Sequence, residues 1–424
     1  MPIEAAVRAN TAPGTTIPLV VRSATLRHAT LWLFVACGAS AIIEPSPYEA
    51  MFFLVLAAFA RGGLTFDRTM APLVFWLALW NAGGIIALPL VLNDDKARMF
   101  VAVSVYMALT SIVVAAIVAD KPRENMRAIR SGYVVAGLIA AVAGVLGYFN
   151  VAGLGAWFSA YDNARASGPF KDPNVFGPFL ALPIVWLAQD VLLKRGMALI
   201  KAALIAIMLF GLLLSFSRGA WGVTAGSLAM MVAATFLTTR STGIRRRIAI
   251  LTIAALAALP LLLAGALAIP SVGGMMQMRA SLDQDYDVGE MGRFGAQKRS
   301  IPLLLERPFG FGPLQYHNVF PSHLDPHEVY VNAFASYGWL GGVAFLGFTA
   351  TTLWVAVRGM FTHSSLQEDM IAIGACLIAQ MAQGVQIDTD HWRHLYLMFG
   401  CCYGLAAAQR RERARASPIA LGGR

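Results

Sequence analysis

His327 stands at the end of a long polar stretch, two residues before an apolar run that opens at Val329. An imidazole at such a boundary can take a proton from a hydroxyl near neutral pH. His317 and His323 lie in the same stretch, and a surface or capping role is the plainer reading of any one of the three. Position favours His327, because a ring placed before an amphipathic span meets the bilayer face where a lipid-borne substrate lies. Glu328 and Tyr330 follow it. Upstream, Arg218 sits in Ser215-Phe216-Ser217-Arg218-Gly219, a short turn between two apolar runs. A guanidinium held there beside small hydroxyl donors such as Ser217 can clamp a diphosphate through parallel hydrogen bonds. A snorkelling interfacial arginine is the alternative. Arg293 opens a predicted loop helix over 291–306, and Lys298 and Arg299 follow it. A solvated basic face is the default reading of all three.

Two other groups of polar residues fall on the same side of the pattern. One holds Arg165 and Asn174, around Ser167-Gly168-Pro169-Phe170. The other is Asp388-Thr389-Asp390-His391-Trp392-Arg393-His394, where Asp390, His391 and Arg393 suit either an acceptor sugar or an interfacial ion-pair cluster. A calcium-loop reading of Asp283, Asp285 and Asp287 fails, since Val288 and Phe294 occupy the positions that need Gly and Glu. No spacing of Cys and His suits a metal, and Cys37, Cys376, Cys401 and Cys402 read as small apolar packing residues inside spans.

Apolar helices must position these groups. The chain is 58% hydrophobic and 13% charged, with mean hydropathy +0.63; a soluble domain carries roughly a quarter charged residues. Its apolar runs of about 17–25 residues match the helical thickness of a bilayer. Twelve spans are predicted, near 29–44, 49–60, 72–92, 99–119, 132–150, 176–193, 197–215, 219–238, 248–270, 329–357, 368–386 and 394–408. Residues 1–28 are too polar for a cleaved signal peptide, so the first span is expected to stay as an anchor. With the amino terminus in the cytoplasm, roughly twice as many Lys and Arg fall on the cytoplasmic side as opposite, which puts both termini there. The formal net charge of +10 is thus partitioned by side, and nucleic acid is not an expected partner. The expected division is a cytoplasmic segment 1–28, a membrane domain 29–408 and a basic cytoplasmic tail 409–424. One loop, 271–328, is far longer than an ordinary connection and carries enough apolar residues to be ordered.

Taken together, these pieces resemble the O-antigen ligase and polymerase superfamily of bacterial envelope enzymes over about residues 160–405. The resemblance rests on Ser167-Gly168-Pro169-Phe170 with Asp172-Pro173-Asn174, on Ser215-Phe216-Ser217-Arg218-Gly219, and on Arg293 followed by Glu306-Arg307-Pro308-Phe309-Gly310-Phe311-Gly312. It ends on Pro326-His327-Glu328-Val329-Tyr330 and Tyr337-Gly338-Trp339-Leu340-Gly341-Gly342. It implies an all-α polytopic membrane glycosyltransferase with its large loop in the periplasm, needing neither metal nor cofactor and inverting the donor sugar. The implied donor is a glycan on undecaprenyl diphosphate. The acceptor is the lipid A core for a ligase, or a growing O-antigen or exopolysaccharide for a polymerase. Within that resemblance Arg218 and Arg293 hold the diphosphate and His327 acts on the acceptor. Arg165, Ser217, Asn174, Glu328, Tyr330, Asp390, His391 and Arg393 are expected to bind substrate. Glu328 departs from the family, which usually has Asn after the histidine. The rival class is a lipid-linked sugar transporter or flippase, which places ionisable residues at mid-membrane. Spans nearly free of charge argue against it.

Overall fold

The computed structural model describes residues 19–43, 46–60, 64, 66–162, 164–280, 293–319 and 327–416. Chain order begins with α1 (Leu19–Ala36), α2 (Pro47–Ala60), α3 (Ala71–Ala87), α4 (Asp95–Asp120) and α5 (Pro122–Tyr148). The one-turn α6 (Gly155–Phe158) leads into a two-stranded antiparallel sheet, β1 (Ser159–Ala160) against β2 (Arg165–Ala166). Next come α7 (Pro173–Leu192), α8 (Ala198–Leu214), α9 (Arg218–Thr238) and α10 (Thr242–Leu267). Three shorter helices follow: α11 (Pro270–Ala280), α12 (Arg293–Leu305) and α13 (Tyr316–Val319). The last are α14 (Val329–Met360), α15 (Gln367–Gln383) and α16 (Arg393–Ala416).

Among the described residues the protein is all-α apart from that small sheet, and each expected span overlaps a helix. Among the described residues, seven helical stretches are long and apolar enough to cross a membrane: the one containing α3, together with α4, α5, α7, α9, α10 and α14. α2 and α8 are apolar but shorter. Polar residues start several helices, because the first backbone N–H groups need acceptors. Asp94 accepts from the N–H groups of Lys96 and Ala97, Asp172 from Asn174, Ser217 from Ala220 and Ser241 from Ile244.

Three expectations shift. The first helix runs from Leu19 to Ala36 and not over 29–44, giving way to a 3-10 turn at Cys37–Ala39. The ninth expected span, 248–270, is part of α10, which starts at Thr242, so Arg245, Arg246 and Arg247 lie within a helix and not in a loop. The stretch 271–328 holds α11 and α13 as well as the predicted helix. The Asp283–Asp287 run and His323 lie outside the described residues.

α4 runs along α16, α3 along α14, α9 against α7 and α15, and α1 against α5. Glycine sets the closest of these approaches. A Cβ on Gly400 or Gly404 of α16 would lie 2.7 Å from the carbonyl oxygen of Ser111 or Ala115 on α4. Cys376, Cys401 and Cys402 are buried free thiols in this packing.

α14 breaks at Gly338, whose φ of 65° and ψ of −168° lie in a region essentially closed to other residues. The break frees backbone groups that the preceding segment uses. Phe311 N–H donates to the Ala335 carbonyl at 2.7 Å, and Trp339 N–H donates to that of Pro308 at 2.9 Å. Trp339 Nε1 donates to the Leu304 carbonyl at 2.8 Å. Glu306–Gly312 is thereby docked on the kink, which carries the chain from α12 toward His327. A Cβ on Gly338 would collide with the Pro308 carbonyl oxygen. Gly338→Ala is therefore expected to cost on the order of 1–3 kcal/mol in backbone strain alone. Faster proteolysis within 306–312 and a lower melting temperature would register it; unchanged protection would contradict this docking.

Candidate active site

Arg218 is the first residue of α9, half-buried, at a helix start, where the helix dipole favours an anion. The turn before it is fixed from behind. Arg165 is buried; its Nε donates to the Ser215 carbonyl at 2.8 Å and its Nη2 to Asn174 Oδ1 at 2.9 Å. Its guanidinium also lies 5.6 Å from the Tyr161 ring centre. Phe216 adopts a left-handed φ of 45° and is buried, so the turn reverses within three residues. Ser217 caps α9 through its Oγ. Arg165, Asn174 and Ser217 thus hold the turn that presents Arg218.

The facing wall comes from α14 and α15. Val329 N–H donates to the Gly384 carbonyl at 2.9 Å, and Tyr330 Oη donates to the Met381 carbonyl at 2.6 Å. Gln383, one residue earlier, reaches α9, since a Cβ on Gly219 would sit 2.6 Å from its Nε2. The Gln383–Gly384 corner therefore touches the residue after Arg218 on one side and the second residue after His327 on the other. Arg218 and His327 are brought to one end of the bundle by this corner. His327 has a left-handed φ of 45° and a side chain 49% exposed, and its Nδ1 lies 4.0 Å from Asp388 Oδ2. Arg293 is the first residue of α12; its side chain lies outside the described residues.

Burial raises the Glu328 carboxyl above the usual carboxylate range. Its protonated form is therefore favoured by folding, and the stability this gives is full at low pH and lost as pH rises through the raised value. Glu328→Gln, which keeps the neutral form at all pH, is expected to melt higher than the parent at pH 7. The difference should shrink as pH falls toward 4. Parallel melting curves across that range would contradict this.

Asp390, His391 and Arg393 are engaged with the bundle. His391 stacks on Phe100 of α4 at 3.6 Å between ring centres, with Nδ1 2.9 Å from Asp390 Oδ2 and Nε2 3.0 Å from the Phe100 carbonyl. Arg393 Nε lies 2.6 Å from Glu49 Oε1 on α2. These contacts tie α16 to α4 and α2. Asp388, from the same loop, instead faces His327. Gln383 and this role of Asp388 escaped the sequence. Nothing in a lone glutamine near the end of an apolar helix marks it, and Asp388 reads as one more acid in an ionisable run.

Residues 203–346 match a family model described as O-antigen ligase. No curated protein matches the chain. The matched stretch runs from α8 through the Arg218 turn to α14 just past its kink, and includes Arg218, Arg293 and His327. The match, together with the apolar helices, supports a glycosyl-transfer role in O-antigen or polysaccharide assembly in a bacterial membrane.

Proposed function

We propose, from the match of residues 203–346 to the O-antigen ligase family model, that the chain acts as a member of the O-antigen ligase and polymerase superfamily and transfers a glycan from undecaprenyl diphosphate to an acceptor hydroxyl. In this reading α1–α5, α7–α10 and α14–α16 cross the inner membrane, with both termini in the cytoplasm. The loop 271–328 and the Arg218–His327 end face the periplasm, and the segment before α1 and the basic tail after the last span lie on the cytoplasmic side. The acceptor oxygen attacks the anomeric carbon while the bond to the diphosphate breaks, so the sugar is inverted. His327 receives the hydroxyl proton. Arg218 and Arg293 take up the negative charge that grows on the departing diphosphate. Glu328, Tyr330 and the Asp390–Arg393 segment border the acceptor side.

The observation that carries this reading is the Gln383–Gly384 corner, which joins the cationic start of α9 to the stretch that bears His327. Guanidinium groups stay protonated at any working pH, so charge neutralisation of the leaving group needs no divalent ion. Transfer is expected to proceed at full rate in EDTA. Loss of turnover in chelator, restored by magnesium, would contradict this.

A deletion strain, profiled for surface and lipid-linked glycans by chain length, tests the whole reading. For a ligase, the strain accumulates long lipid-linked polymer and lacks lipopolysaccharide-attached chains; for a polymerase, it accumulates single repeat units. The wild-type gene is expected to restore the normal profile and His327→Ala to fail. An unchanged profile in the deletion strain would overturn the proposal.

A further inference from the structure

A basic groove lies at the opposite end of α7 and α9 from Arg218, apart from the reaction proposed above. Lys194-Arg195-Gly196-Met197 joins α7 to α8, and Lys194, Gly196 and Met197 all adopt left-handed φ (59°, 69° and 49°). The start of α10 is tied to this turn, since Arg247 donates from Nε and Nη2 to the Val191 carbonyl at 3.2 and 3.0 Å. Between them lie two adjoining cavities of about 260 Å³ each, both lined by Lys194 and Arg247. Arg195 lines the first and Arg246 the second.

Charge in the groove does not cancel. The one acidic residue lining it is Asp190, and its carboxylate is already met by Arg130 at 2.7 Å, Lys201 at 2.9 Å and Arg195 at 3.3 Å. Arg195 also pairs with Glu368 of α15. Lys194 and Arg246 are exposed at the groove, beside the anchored Arg247. Asp190 and Lys201, which fall inside expected spans, pair with each other there. The rim is apolar: Leu199 is 88% exposed, and Met197, Ile250 and Ile253 are exposed near it. α10 as a whole is barely buried, touching the bundle at α7, α9 and α11.

We propose that this groove binds the phosphate of an anionic phospholipid, with its acyl chains lying along α8 and α10, in the leaflet opposite the reaction site. Phosphate oxygens satisfy several cationic donors at once. A basic pocket between helices beside exposed apolar faces suits a headgroup with its tails attached, whereas a soluble anion leaves that rim uncovered. Such a lipid braces α10 against α7 where protein contacts are sparse.

Native mass spectrometry of the full chain in detergent, titrated with phosphatidylglycerol and with phosphatidylcholine, tests this. Phosphatidylglycerol is expected to bind preferentially. Lys194→Gln with Arg246→Gln should weaken it by roughly 30-fold, at about one kcal/mol for each basic residue, while Lys194→Arg with Arg246→Lys retains it. Equal affinity of the wild-type protein for both lipids would overturn the proposal. So would phosphatidylglycerol binding unaltered by the double Gln change. Displacement of phosphatidylglycerol by inorganic phosphate at matching concentration would overturn the lipid assignment in favour of a soluble anion. The wild-type lipid comparison decides the matter even if the Gln variant does not fold.

Discussion

Replacing His327 with Ala is expected to lower glycan transfer by about 10²–10⁴-fold, the usual contribution of a positioned general base. The amount of folded protein should change little, because the side chain is half exposed and fills no core. Backbone strain needs its own control, since His327 has φ of 45° and alanine tolerates the left-handed region poorly. Asparagine tolerates it well but cannot accept a proton at neutral pH. His327→Asn should therefore keep the parent's melting temperature while sharing the loss of transfer. If Asn restores turnover, the ring matters for backbone shape and not for proton removal. Measured rates with a purified lipid-linked donor separate the two.

Arg218→Ala is expected to cost about 10²–10³-fold in transfer, the typical loss when one preorganised electrostatic contact to developing charge is removed. The turn itself should persist, because Arg165, the Ser217 cap and the Ser215 hydroxyl hold it without the Arg218 side chain. Arg218→Lys is expected to recover only part of the rate. Lysine supplies the charge, yet it lacks the planar fork that grips two phosphate oxygens together. Full activity in Arg218→Lys would mean that charge alone suffices there, and full activity in Arg218→Ala would remove Arg218 from the mechanism.

The helices were legible because their signal is local. Long apolar runs between charged clusters leave few alternatives, and caps such as Asp94, Asp172 and Ser217 are readable from residue type and position. The helix over 291–306 and its end before Pro308 could be read from apolar content and breakers in the same way; it spans Arg293–Leu305. The kink at Gly338 is not legible, although Gly338 itself belongs to the Tyr337–Gly342 motif. Its conformation is demanded by the docking of Glu306–Gly312, a contact between segments about thirty residues apart whose register no periodicity reports.

The site followed the same division. Arg218 and His327 stood out through residue type and place in the chain. Their common position depends on Gln383 and Gly384, whose value is purely geometric: one amide against Gly219 and one carbonyl accepting from Val329. The ion cluster of Arg130, Asp190 and Lys201 is not legible in the sequence, because its members come from three helices and only their packing brings them together.

Binding and turnover measured together on one donor test the central claim most directly. The purified protein is titrated with a polyprenyl-diphosphate glycan and with the matching monophosphate, alongside Arg218→Ala and His327→Ala, and transfer is followed in the same samples. The account predicts preference for the diphosphate, weakened binding in Arg218→Ala, unchanged binding in His327→Ala, and loss of transfer in both. Equal binding of the two donors, or transfer surviving in either variant, would contradict it.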